Sequence, residues 1–191
     1  MAVKNREYKT GEGKAGLKNI PFQKRLEPHL DELKWLYMEL YDNQQMFEGL
    51  CSGMEEFCRA RRASLKRLDT KREKNPGWFR KSSMLGMMMY TDQFAGTLTG
   101  VKEKLDYIES CNVNYLHLMP LLDTPRGRSD GGYAVSDFRK VRDGLGTMDD
   151  LRALADECHK RGISLCLDFV MNHTSEEHEW AKRARAGERE Y

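Results

Sequence analysis

The chain has 191 residues, 39% of them hydrophobic and 32% charged, with 32 basic against 30 acidic side chains and a formal net charge of +2. That length suits one domain, or a small domain with part of another, and the apolar share is ample for a core. The balanced charge gives no sign of a nucleic-acid partner, which needs a clear basic excess on one face. Five cysteines, an odd number with no Cys-x-x-Cys spacing, argue against a disulfide framework and against a zinc knuckle. The N-terminal stretch lacks an apolar signal region, and no run is long enough to cross a bilayer. The expected setting is therefore a reducing cytoplasm, without a membrane partner.

In chain order, residues 1–19 read as a polar, flexible tail. Gly11-Glu12-Gly13-Lys14-Ala15-Gly16 matches the spacing of a phosphate-binding glycine loop, but no strand precedes it, so the context that loop needs is missing. Residues 20–77 read as a helical N-terminal domain. Leu30, Leu33, Leu36, Tyr37 and Leu40 form an amphipathic stripe. Met46, Phe47, Leu50, Met54, Phe57 and Cys58 form a second one. The basic run from Arg59 to Lys74, interrupted by Asp69 and Glu73, reads as a solvated helix face, with RNA contact as the outside alternative. Asn75-Pro76-Gly77 ends this region.

From about residue 85 the rhythm alternates between strands and helices. Leu85–Tyr90, Asn114–Met119 and Ile163–Val170 are the expected strands. Thr99–Cys111 is an expected helix, with Asn112 at its C-terminal cap. A second helix starts at Thr147, where Asp150 completes a variant of the capping box, and Gly162 follows its end. A third should start at Thr174-x-x-Glu177 by the same signal. Strands joined by helices give parallel, right-handed crossovers, and both open sheets and closed barrels begin this way.

In either architecture function gathers at the C-terminal ends of the strands. Three segments stand there. Ser129-Asp-Gly-Gly-Tyr-Ala-Val-Ser136 has two glycines that permit a tight turn, an aromatic ring that can face the C–H side of a sugar, and an acid for its hydroxyls. An ordinary turn accounts for the same residue types. Asp168-Phe-Val-Met-Asn-His-Thr-Ser175 puts an acid at the end of the third strand, with Asn172 and His173 just beyond. A structural ion pair for Asp168 is the competing reading. His117, inside the second strand, reads as a packed, hydrogen-bonded histidine. The chain shows no metalloprotease, phosphate-loop, nucleophile-elbow or Cys/His signature.

Together with Tyr115-Leu-His-Leu-Met-Pro-Leu121, these segments resemble glycoside hydrolase family 13, the α-amylase family, and within it the amylosucrases. The Asp-x-x-x-Asn-His element marks the family, and the Ser-Asp-Gly-Gly-Tyr loop with Leu-Met-Pro points to its sucrose-using branch. The likeness runs from about Gln93 to Tyr191, and the helical region before it resembles the amylosucrase N-terminal helical domain more loosely.

The resemblance implies an α/β chain: the N-terminal helical domain, then residues 85–191 as a partial (β/α)8 TIM barrel with strands 1–3 and the loop after strand 2. It implies a retaining reaction, in which one carboxylate attacks the anomeric carbon and a second carboxyl, ~5–5.5 Å away, protonates the leaving oxygen. For sucrose, fructose departs and the glucosyl unit passes to an α-glucan or to water. Tyr133 would stack on the glucosyl ring. Asp130 would close the pocket floor by pairing a downstream Arg. His173 would bind the 6-hydroxyl, and Asp168 would orient the site. Asn172 matches a calcium-binding position of many α-amylases, although amylosucrases generally manage without the ion, and no cofactor is expected. The nucleophile and acid/base would lie beyond residue 191, so these residues read as an N-terminal fragment with no catalytic carboxylate of its own. A sucrose hydrolase, α-glucosidase or trehalose synthase of the same family is the alternative, and a non-catalytic scaffold reusing the first barrel units is the reading from another class.

Overall fold

A computed structural model describes residues 21–128, 131–189 and 191. The expected tail over residues 1–19, with its glycine motif, lies outside the described residues, as do Ser129 and Asp130. The chain divides into two compact units, one ending at Phe79 and one beginning at Arg80.

The first unit is helical: α1 (Phe22–Tyr41), α2 (Gln44–Ala60) and α3 (Ala63–Glu73). Asp42, in the left-handed region, ends α1, and its N–H returns to the Met38 carbonyl. Asn43 then caps α2 by accepting the Met46 N–H at 3.0 Å. The expected stripes are only partly used. Phe47 is buried and rests on Tyr37 at a ring separation of 5.5 Å, whereas Leu36, Leu40, Leu50 and Phe57 stay exposed. A period of 3.6 says which residues share a face; it does not say how much partner surface covers them. Phe22, Leu26, Leu50, Met54 and Phe57 line an open cleft of about 840 Å³ between these helices.

The basic run of this unit is largely engaged internally. Arg61 holds Asp69 through two hydrogen bonds, 2.6 and 2.9 Å, and this pairing keeps the Asp69 carboxyl below its ordinary value. Arg25 pairs with Glu73, and Arg72 lies 3.8 Å over the Trp78 ring. Those partners favour the paired helix face over a nucleic-acid surface. Cys51 and Cys58 are free and half-buried.

The second unit contains β1 (Gly86–Met89), α4 (Thr91–Ala95), α5 (Leu98–Glu103), α6 (Leu105–Ser110) and β2 (Tyr115–Leu118), then β3 (Leu122–Asp123), β4 (Asp137–Val141), α7 (Met148–Lys160), β5 (Ser164–Leu167) and α8 (Glu179–Arg185). β1, β2 and β5 form a parallel sheet with β2 in the centre. Leu116 and Leu118 of β2 are fully buried on one face, against Leu98, Val101, Leu105, Ile108, Leu154 and Cys158 of the helices.

The two long crossovers end alike. After α6, Asn112 adopts a φ of 58° and donates to the Glu109 carbonyl, while the Val113 N–H reaches Ile108. After α7, Gly162 at φ 73° donates to His159, while the Ile163 N–H reaches Cys158. These are Schellman closures, each with an apolar residue that turns back into the core at the start of the next strand. At the other end of α7 the expected capping box is present: Thr147 and Asp150 satisfy each other's backbone N–H.

Three expectations need correction. The helix expected over 99–111 is two short helices divided at Lys104, whose ammonium donates to the Phe94 carbonyl at 2.7 Å. The connection after β2 contains an antiparallel ribbon of β3 and β4. Finally, Thr174 does not cap the last helix. His178 does, accepting the Trp180 N–H at its Nδ1, because buried Ser175 is drawn inward by donating its N–H to the Val135 carbonyl at 2.8 Å.

Two predictions follow from this packing. A Cβ on Gly100 would stand 2.2 Å from the Ala95 carbonyl oxygen, which is backbone and cannot swing away. Gly100→Ala should cost about 1–3 kcal/mol, as overpacking does. It would appear as a lower urea midpoint at unchanged slope, and an unchanged midpoint would show that the α4–α5 junction yields freely.

All five cysteines are free. Burial pushes the Cys158 thiol up to about 11. At pH 8 only about one thousandth of it is thiolate, the reactive form. Native chain treated with a thiol reagent should therefore retain Cys158 while the half-buried Cys51, Cys58, Cys111 and Cys166 are modified. Peptide mass mapping reads the outcome, and early modification of Cys158 would contradict this packing.

Candidate functional site

The site is built at the C-terminal ends of the parallel strands. In the register of the sheet His117 of β2 lies beside Cys166 of β5. Side chains alternate along a strand, so Asp168, two residues past Cys166, emerges on the same face as His117. The two side chains meet: His117 Nε2 lies 2.8 Å from Asp168 Oδ1. The other carboxylate oxygen, Oδ2, accepts the Tyr133 hydroxyl at 3.1 Å. That donated bond, with the negative charge behind it, holds the Tyr133 phenol above its ordinary value.

Tyr133 arrives from the β2–β4 connection. Gly131 and Gly132 precede it at φ 60° and 90°, in the region that favours glycine. A Cβ on Gly132 would stand 2.9 Å from Pro120 Cβ and 3.0 Å from its carbonyl oxygen, so the loop seats directly on the end of β2. The expected tight turn is present. Tyr90, just past β1, belongs to the same mouth: its hydroxyl is 2.9 Å from where a Gly131 Cβ would be. The base of the loop is tied by the ribbon, where Ser136 donates from its N–H to the Asp123 carbonyl and from its hydroxyl to Asp123 Oδ2.

Of the four residues expected to bind a sugar, the structure brings Tyr133 and Asp168 together. His173 is exposed on the irregular segment after Asp168, where it is 3.2 Å from the Asn172 amide; among the described residues no hydrogen bond joins it to the other two. Asp130 lies outside the described residues. His117 is hydrogen-bonded, as its place in a strand suggested, yet its partner is the site carboxylate. Sequence reasoning missed that link, and also Tyr90, whose one signal is its position just after a strand.

Calcium takes about six to eight oxygen ligands. Asn172 meets His173 through its amide nitrogen, which leaves the carbonyl oxygen that calcium would use, and among the described residues no group of three or more acidic, His or Cys side chains could hold a metal.

Gly132→Ala tests the seating of the loop. The added methyl meets Pro120, and the φ of 90° becomes strained, so Tyr133 should lose its bond to Asp168 while the distant core persists. Tyrosine ring NMR signals should report that release, with unfolding cooperativity retained; an unmoved Tyr133 would mean that the loop is held from elsewhere.

Residues 62–191 match the family model for the α-amylase catalytic domain. The trehalose synthase/amylase TreS of Mycolicibacterium smegmatis is 49% identical over 90 residues, covering 47% of this chain and 15% of that protein. The oligo-1,6-glucosidase of Bacillus sp. strain F5 is 43% identical over 90 residues, 47% of this chain and 17% of that protein. Among solved structures, a variant of trehalulose synthase MutB of Pseudomonas mesoacidophila, crystallised with its substrate sucrose, is 35% identical and has a TM-score of 0.51. That match covers 58% of this chain and 20% of the other. The chain thus spans between 15% and 20% of the length of these relatives. Its parallel β/α units are those of the family's TIM barrel, and the chain belongs to the α-amylase family of glycoside hydrolases.

Proposed function

We propose that this chain forms the glucosyl-binding wall of a retaining, amylosucrase-like enzyme, one that takes glucose from sucrose and passes it to an α-glucan or to water. The observation that carries the reading is one carboxylate, Asp168, shared between a strand histidine and a loop tyrosine at the mouth of the parallel strands. A carboxylate offers about four acceptor positions, and two are taken by His117 and Tyr133, which leaves room for two ligand hydroxyls. The ring of Tyr133 is 38% exposed and can cover the apolar face of a pyranose. His173, beyond Asp168, supplies a donor or acceptor for the 6-hydroxyl. Asp130 closes the pocket behind that ring by pairing with an arginine that this segment does not supply. No Asp or Glu of the chain serves as nucleophile or acid/base in this reading.

A second reading keeps the glucosyl wall and changes the donor to trehalose or an isomaltose-type glucoside. The 49% and 43% identities to a trehalose synthase and an oligo-1,6-glucosidase favour it. Sucrose, trehalose and isomaltose share an α-glucosyl unit and differ in the group attached to it.

Titration of the chain with each disaccharide, followed through Tyr133 and His173 NMR signals, tests both. Sucrose should shift both residues, and Tyr133→Ala should weaken the response by about tenfold, equivalent to one lost ring contact. Shifts from trehalose or isomaltose with none from sucrose would replace the first reading by the second. A chain unresponsive to all three would sink the glucosyl wall, and fructose release by the purified chain would overturn the exclusion of its own carboxylates from catalysis.

A further inference from the structure

We propose that His117 is a positioning residue, which fixes the Asp168 carboxylate and, through it, the ring of Tyr133; this role rests on the glucosyl-wall reading above. The pair is built by the register rather than by chain proximity, since 51 residues separate the partners. β2 and β5 are hydrogen-bonded neighbours, and His117 and Asp168 project from their common face. Each oxygen of the carboxylate has a different partner: Oδ1 faces His117 Nε2 at 2.8 Å and Oδ2 faces the Tyr133 hydroxyl at 3.1 Å.

That division matters because the terminal torsion of an aspartate is soft and nearly two-fold. One donor alone would let the carboxylate plane swing. Two donors on opposite oxygens hold it, and of the two only His117 stands on a strand of the sheet. The strand is anchored by Leu116 and Leu118, both fully buried to either side of the histidine. Tyr133, in contrast, is exposed on a loop. The order of support therefore runs from β2 through the imidazole to the carboxylate and on to the phenol.

The chemistry also sets the tautomer. A carboxylate only accepts, so the proton between His117 and Asp168 sits on Nε2. With side-chain exposures of 27% and 22%, the bond is shielded enough to persist yet near enough to the surface for the free lone pairs of Asp168 to reach a ligand. Any side chain without a donor at the Nε2 position removes the first link of this relay while leaving the β2 backbone ladder intact.

Three variants of the 191-residue chain decide the matter. His117→Phe keeps a flat ring and removes the donor. His117→Gln keeps a neutral donor close to the place of Nε2. Asp168→Asn marks the state in which Tyr133 has lost its anionic partner. The readouts are the carbon-13 signals and phenol titration of Tyr133, assigned with Tyr133→Phe, and the affinity for methyl α-D-glucopyranoside. In His117→Phe the Tyr133 phenol should fall back toward its ordinary value, its signals should approach those of Asp168→Asn, and glucoside affinity should drop by about tenfold. His117→Gln should restore most of both.

A merely structural histidine would not give that rescue pattern. If folded His117→Phe kept the Tyr133 titration and the glucoside affinity of the parent chain, the inference would be overturned and the glucosyl wall would stand. Failure of folded His117→Gln to do better than His117→Phe would equally overturn it. If the parent chain bound no glucoside although Tyr133 followed His117, the trio would be scaffolding alone, and the proposed function would fall with the positioning role.

Discussion

The parallel pairing of β2 with its two neighbours is the constraint on which the rest of the second unit depends. One face of β2 must be covered by helices, because Leu116 and Leu118 leave no surface for water. Side-chain alternation then sends Tyr115, His117 and Met119 to the other face. Registration with β5 brings Asp168 to that same side, one residue beyond the last ladder pair. A slip of one residue would turn His117 toward the helices and put a leucine in the site. Packing of the core and assembly of the site are thus a single requirement.

The register in turn depends on where the helices stop. Both crossover helices end in a left-handed residue, Asn112 or Gly162, followed by an apolar residue that bonds back to the last turn. The closure sets which residue begins the strand: Asn114 and Ser164 follow Val113 and Ile163, and the Ser164 N–H bonds to the Asn114 carbonyl at 2.8 Å, locking the two strand starts together. The Asn114 side chain meanwhile accepts from Leu85 and donates to Ser83, which aligns the start of β1. One asparagine therefore touches the entry of all three parallel strands, and the far end of those strands is where the site lies.

These features differ in how far they could be read from the residues alone. The strands around Tyr115 and Ser164, the capped start of α7 and the left-handed closures carry local signals, and the structure has them where those signals lie. The placement of Tyr133 and Asp168 near the strand ends was legible locally, whereas a sugar-binding role for either came only with the family resemblance. The His117–Asp168 bond was not legible, since it exists only once the register is known. The β3–β4 ribbon escaped for another reason: β3 has two residues and β4 reads Asp-Phe-Arg-Lys-Val, so neither shows period-two alternation. The start of α8 was misplaced because a tertiary demand, the bond from Ser175 to Val135, overrode a local capping signal. In the helical unit the stripes were legible, whereas the small area available to cover them was not.

The connection after β2 shows how a segment with little regular structure is nonetheless placed. Gly132 rests on Pro120, Val135 is buried and accepts from Ser175, and Ser136 is bonded twice to Asp123. Tyr133 lies between these ties, so its ring needs only the Asp168 bond to be fully oriented. His173 is supported differently: it stands on an exposed irregular segment, with Asn172 beside it as its hydrogen-bond partner. Segments with few buried contacts open at low cost, whereas tied segments move only with the core. In the proposed glucosyl-wall reading, the mouth therefore combines a wall held by the sheet with an imidazole on a less tied segment. In that reading the ring face would select by shape, and the imidazole would complete the hydrogen bonds that shape alone leaves unmade.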